Sequence, residues 1–167
     1  MIEIERKFII EKPDVDLLRG LPGFSESRIV QIYVHSLENV THRVRSREID
    51  GKVVYTETKK QRIDKMSALE DEREISREQF VSISADIKEG TSPINKVRYT
   101  FLANEKLFEM DVYPEWKNTC ILEIELSDRE EKIIFPGFIK IVEEVTGNRA
   151  YSNASMARSF PEESICR

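Results

Sequence analysis

The chain has 167 residues, 34% of them charged and 40% hydrophobic, which is enough to bury one core and too apolar for a disordered segment. Its formal net charge of −5 excludes a non-specific nucleic-acid binder, so any anion it holds must be held by a local basic cluster. Cys120 and Cys166 are too few for a disulfide framework or a thiolate metal site, and neither a basic leader nor a long apolar run is visible. The expectation is one cytoplasmic domain over residues 1–167, with no nucleic-acid or membrane partner and with a homodimer left open.

The opening stretch MIEIERKF alternates as a strand, with Ile2, Ile4, Arg6 and Phe8 on one face and Glu3, Glu5 and Lys7 on the other. Pro13 and Asp14 then start a short helix that holds Leu17 and Leu18 and stops at Gly20. Ser27 to Ser36 is rich in Ile, Val and Tyr and predicts a second strand, and Thr41 to Ile49 predicts a third. Asp50-Gly51 between that strand and VVYTETKK is a strong hairpin signal.

Gln61 to Ala68 lacks apolar periodicity and is expected to be a mobile loop before a strand at Leu69 to Ile75. Ser76 and Gln79 have capping-box spacing for a helix carrying Phe80, Ile83 and Ile87 as far as Gly90. INKVRYTFL and KLFEMDVY follow as strands joined at Asn104-Glu105, and CILEIELSD is the last clear strand. PGFIKIVEEVTGN predicts a helix with Ile139, Val142 and Val145 or their neighbours inward and Gly147 as its stop, and a final short helix begins at Asn153. The tail from Phe160 onward is expected to be loose.

Roughly eight strands and three or four helices with hairpin-like connections mean an α+β antiparallel barrel or sandwich with helices outside. The charge pattern decides between them. Strand after strand sets a charged row opposite an apolar row: Arg43, Arg45 and Arg47; Glu72 and Glu74; Lys96 and Arg98; Glu109 and Asp111; Glu123 and Glu125. A closed eight-stranded barrel with a polar, charged lumen lets the apolar rows pack outward against helices while the charged rows face water.

Those rows imply chemistry. Glu3, Glu5, Glu123 and Glu125 come from the first and last strands, and facing carboxylates repel unless neutralised, for which all-oxygen ligation favours Mg²⁺ or Mn²⁺. Arg43, Arg45, Lys96, Arg98 and Lys7, with Lys59 from the strand after the hairpin, suit phosphate oxygens. Cations beside metal-binding acids are what phosphoryl transfer requires. Taken singly, each row also fits a solvated strand face, and only their conjunction points to a site.

The ordered blocks EIERK, HRVR, TETKK, ExE at Glu72 and Glu74, NKVR, MDVY, LEIEL and EVTGNRAYSN resemble the CYTH superfamily, the triphosphate tunnel metalloenzymes, from about residue 2 to residue 157. The resemblance implies a tunnel of eight antiparallel strands that binds a triphosphate lengthwise with Mg²⁺ or Mn²⁺. It implies metal ligation by Glu3, Glu5, Asp111, Glu123 and Glu125, with Glu74 as a helper, and phosphate binding by Lys7, Arg43, Arg45, Lys59, Lys96 and Arg98. Glu5 and Lys7 are then the catalytic pair, with Lys7 steadying charge on the leaving oxygen. The TETKK register leaves Lys60 as the alternative to Lys59; parity with Glu57 favours Lys59. The implied activity is release of the terminal phosphate of a triphosphate, most simply inorganic triphosphate. Its rivals are a cyclase making cyclic AMP from ATP, which lacks the HF dipeptide before ExExK here, and a non-catalytic polyphosphate or nucleotide binder.

Overall fold

The computed structural model describes residues 1–164, so Cys166 lies outside the described residues. Nine strands make one sheet: β1 (Ile2–Glu11), β2 (Ser25–Val34), β3 (Thr41–Ile49), β4 (Lys52–Arg62), β5 (Ser67–Ile75), β6 (Ile94–Ala103), β7 (Lys106–Val112), β8 (Thr119–Glu125) and β9 (Ile141–Glu144). The order is β5-β4-β3-β2-β6-β7-β8-β1-β9, and β5 also pairs with β1, which closes an eight-stranded antiparallel barrel. Two-residue turns set much of the register. Asp50 and Gly51 have φ of 49° and 78°, and Asn104 and Glu105 have 49° and 63°, the left-handed pair whose twist matches antiparallel strands.

The closing seam is short and shared. One edge of β1 pairs with β8 from Glu5 to Glu11, while its other edge pairs with β5 only at Ile2, Glu3 and Ile4. Beyond that point the edge would be left without partners, and β9 covers it at Phe8, Ile9 and Ile10. This replaces the helix expected over 136–148. Ile141 and Val142 favour an extended backbone, and an open strand edge offers hydrogen bonds that an isolated helix of this length would not gain from packing.

Two apolar clusters flank the wall. Outside it, Phe8, Ile10, Phe101, Phe108, Met110, Leu122 and Ile124 pack against Leu18 of α1 (Val15–Arg19) and against Phe135, Phe138 and Ile139. The second cluster is built from the opposite strand parity: Ile9, Tyr33, Ile94 and Ile121, joined by Tyr113, Trp116, Val145 and Met156. It closes one end of the barrel, and α3 (Asn153–Met156), capped by the Ser152 hydroxyl, lies within it.

α2 (Arg77–Ser84) begins with the expected capping box between Ser76 and Gln79, and it ends before Ile87, which instead bridges to Val34. The segment expected as a mobile loop over 61–68 is half strand, with β4 running to Arg62 and β5 starting at Ser67. Its turn is held by the Asp64 carboxylate, which accepts the Met66 and Ser67 amides at 2.9 and 3.0 Å and pairs with Arg129. The described part of the tail expected to be loose, 160–164, is docked as well: Phe160 packs edge-on against Tyr113 and Trp116, and the Trp116 indole donates to the Pro161 carbonyl at 3.0 Å. Glu163 accepts the amides of Lys117, Asn118 and Thr119. No helix among the described residues is long and apolar enough to cross a membrane.

Candidate active site

Cross-strand partners share a face of the sheet, so the registers place charged side chains inside the barrel. Lys7 lies opposite Glu123, and Glu5 opposite Glu125, on β1 and β8. Arg98 lies opposite Asp111 on β7, and Arg43 and Arg45 lie opposite Thr58 and Thr56 on β4. Lys60 lies opposite Glu70 on β5.

The densest network sits next to the closed end. Asp111 and Lys96 have side chains with 0% exposure and meet at 2.6 Å, and Arg98 Nε and Nη2 donate to the two Asp111 oxygens at 2.7 and 2.8 Å. Arg98 also pairs with Glu109 and, at 3.0 Å, with Glu123, whose other oxygen lies 3.1 Å from the Lys7 ammonium. Burial alone would raise the Glu123 carboxyl, but Lys7, Arg98 and Lys96 hold it well below the usual range. Burial brings the Lys96 ammonium down to about 7 despite Asp111, with Arg98 and Arg45 adding repulsion.

The opposite wall carries less neutralised charge. Arg45 donates to Gln31 Oε1 at 3.1 Å, a neutral partner, and burial with repulsion from Arg43 and Arg98 brings its guanidinium down to about 10. Arg43 Nε and Thr56 Oγ1 are enclosed and, among the described residues, have no hydrogen-bond partner. Toward the other end, Lys60 bridges Glu3 at 3.1 Å and Glu70 at 3.4 Å. Burial opposes its charge, but Glu5, Glu3 and Glu70 outweigh burial and raise the ammonium.

No family model and no curated protein matches the sequence. Solved structures do match. The inorganic triphosphatase NE1496 is 26% identical with a TM-score of 0.59, and the match covers 95% of this chain and 99% of that one. The PH1819 protein of Pyrococcus horikoshii OT3, 21% identical with a TM-score of 0.59 over 77% of this chain and 80% of that one, shares the fold. The chain has the CYTH triphosphate-tunnel fold.

Within this tunnel, Lys7, Arg43, Arg45, Lys96 and Arg98 share the interior with Glu3, Glu5, Glu123 and Glu125. Lys59 does not. It pairs with His42 and Asp71 on the outer face and is exposed, while Lys60 occupies the interior. Parity with Glu57 misleads because Glu57 also faces outward, where His42 and Arg73 bind its carboxylate. Asp111 stands apart from the mouth acids, held by Lys96 and Arg98. Among the described residues no three His, Cys, Asp or Glu side chains already form a metal-holding group.

Glu70, Gln31 and Tyr33 are among the tunnel residues that lie beyond the sequence reading. Glu70 shares the parity of Glu72 and Glu74, so the acidic row visible in the sequence is one member longer than that pair. Gln31 and Tyr33 share the face of Ile29 on β2, and nothing in their type separates them from ordinary strand residues. Glu72 faces inward too, accepting from Thr58 Oγ1 at 2.7 Å.

Proposed function

We propose that this protein hydrolyses the terminal phosphate of a triphosphate, with inorganic triphosphate as the substrate. The observation that carries the reading is the cation-rich wall of Arg43 and Arg45, where an enclosed guanidinium nitrogen lacks an acceptor and the neighbouring guanidinium has only a neutral one. A chain of phosphate oxygens supplies such acceptors along a row. Lys7, Lys60, Lys96 and Arg98 would grip the chain from the remaining strands, exchanging carboxylate partners for phosphate.

The apolar cluster around Ile9, Tyr33 and Trp116 makes the tunnel blind at one end. The substrate then enters at the end lined by Glu125, phosphate first, and an unadorned triphosphate fits without any group left outside.

The donor chemistry of the open end fits Mg²⁺ or Mn²⁺: Glu5 and Glu125 are hard oxygen donors facing each other, and among the described residues neither enters an ion pair. Glu3 would join them on releasing Lys60, and Glu123 lies one pair further in. When bound, the cation neutralises phosphate charge and makes a water more acidic. In the reaction, water adds to the terminal phosphorus and the bond to the bridging oxygen breaks, giving orthophosphate and diphosphate. Lys7 stabilises charge on the departing oxygen, and Glu5 orients the open-end charges around it.

A phosphate-release panel of inorganic triphosphate, ATP, GTP and thiamine triphosphate, each with Mg²⁺ and Mn²⁺, tests the assignment. Inorganic triphosphate is expected to be cleaved fastest, and Glu5→Ala to abolish turnover while triphosphate binding persists. Cyclic nucleotide as the main product from ATP, or turnover unchanged in Glu5→Ala, would overturn it.

A further inference from the structure

Behind the closed end lies a second pocket of about 210 Å³, between the ends of β2 and β3, the loop after α2, and α3. This is below the roughly 300 Å³ at which drug-sized ligands begin to fit, so it suits a small ion with a few waters. Its lining contains Lys88, Arg158 and His42 and no Asp or Glu. Among the described residues neither Lys88 nor Arg158 enters a salt bridge; the polar contact of Arg158 is a 3.3 Å bond from Nη1 to the Glu89 carbonyl. Glu57, the acid bonded to His42, is itself held by Arg73, so it forms no ion pair with Lys88 or Arg158. Thr41, Thr91 and Ser155 add hydroxyls around it.

Tyr33 connects this pocket to the tunnel. It lines the pocket, yet its hydroxyl accepts from Gln31 Nε2 at 3.3 Å inside the barrel, and it lies opposite Arg43 across the β2 and β3 pair. Tyr33, a member of the apolar cluster at the closed end, therefore borders both cationic compartments.

We propose that the pocket behind Tyr33 is a second oxyanion site, of a size and charge for orthophosphate. Its role as receiver of a phosphate released in the tunnel rests on the hydrolytic reading above, whereas its capacity to bind phosphate does not. Two cations without carboxylate partners, ringed by hydroxyl donors, match a small tetrahedral anion in both charge and hydrogen bonding.

Titrating inorganic phosphate into ¹⁵N-labelled protein already saturated with inorganic triphosphate, with divalent cations chelated so that no triphosphate is turned over, tests it by amide shifts. Saturable shifts are expected at Ser36, Thr41, Thr91 and Ser155, with affinity at least tenfold weaker in the Lys88→Glu/Arg158→Glu double variant and retained in Lys88→Arg. Both side chains are exposed, and an unchanged circular dichroism spectrum identifies a folded variant. Shifts confined to tunnel residues, displacement of phosphate by triphosphate, or wild-type affinity in the double variant would overturn the site. Phosphate bound here in a protein that releases none from triphosphate would remove only the hydrolytic reading.

Discussion

An enclosed donor without an acceptor costs about 1–3 kcal/mol, and Arg43 Nε is such a donor. Under the proposed function a phosphate oxygen supplies the missing acceptor, so single-residue exchange along this wall is informative. Lys59 and Lys60 form the sharpest contrast, since they are adjacent in sequence and face opposite sides of β4. Lys60→Ala is expected to weaken triphosphate binding at least tenfold and Lys59→Ala to leave it unchanged, as read by calorimetric titration; equal effects would mean that the register of β4 is wrong. Outside the barrel, burial works to raise the Glu57 carboxyl, but bonds from His42 and Arg73 prevail and hold it below its ordinary value. A depressed carboxyl stabilises the fold above the unfolded-state value and loses that contribution as pH falls through the folded one. Urea midpoints should therefore fall more steeply in the wild type than in Glu57→Gln once the pH drops below about 5, and equal slopes would remove Glu57 from the acid response.

Among the elements, the tail departs furthest from its sequence expectation. Phe160 bridges Tyr113 and Trp116 at 5.5 and 5.8 Å between ring centroids, so Phe160→Ala is expected to lower stability by about 2 kcal/mol in denaturant unfolding. An unchanged midpoint would show the tail to be ornamental to the closed end. The sequence conceals this because Phe160 is a lone aromatic beside Pro161 and charged residues, and its partners lie far away along the chain. β9 is hidden for a similar reason: an Ile/Val segment of four residues fits either periodicity, and only the unpaired edge of β1 selects the strand. The Asp50-Gly51 turn holds more information than a hairpin signal alone. It pairs Ile49 with Lys52, which sets odd positions of β3 against even positions of β4 and so puts Lys60, not Lys59, on the arginine face. What is legible is alternation within each strand, which carries Lys7, Arg43, Arg45, Lys96 and Arg98 inward together, because strand parity depends only on the local chain. Which acids meet which bases depends on barrel closure, and that lies in no single segment.

At the scale of the molecule, charge is sorted by position rather than by amount. The chain is acidic overall, yet its interior gathers cations from β1, β3, β4 and β6, while the apolar core sits outside the barrel wall and at its closed end. Such an interior is stable only while its charges are matched: carboxylates match them in this structure, and under the proposed function phosphates would take over that role. Calorimetric titration of inorganic triphosphate into the wild type and into Arg43→Ala and Arg45→Ala addresses this most directly. One triphosphate per chain is predicted for the wild type, with at least tenfold weaker binding in each variant, and wild-type affinity in both variants, or no binding to the wild type, would contradict it.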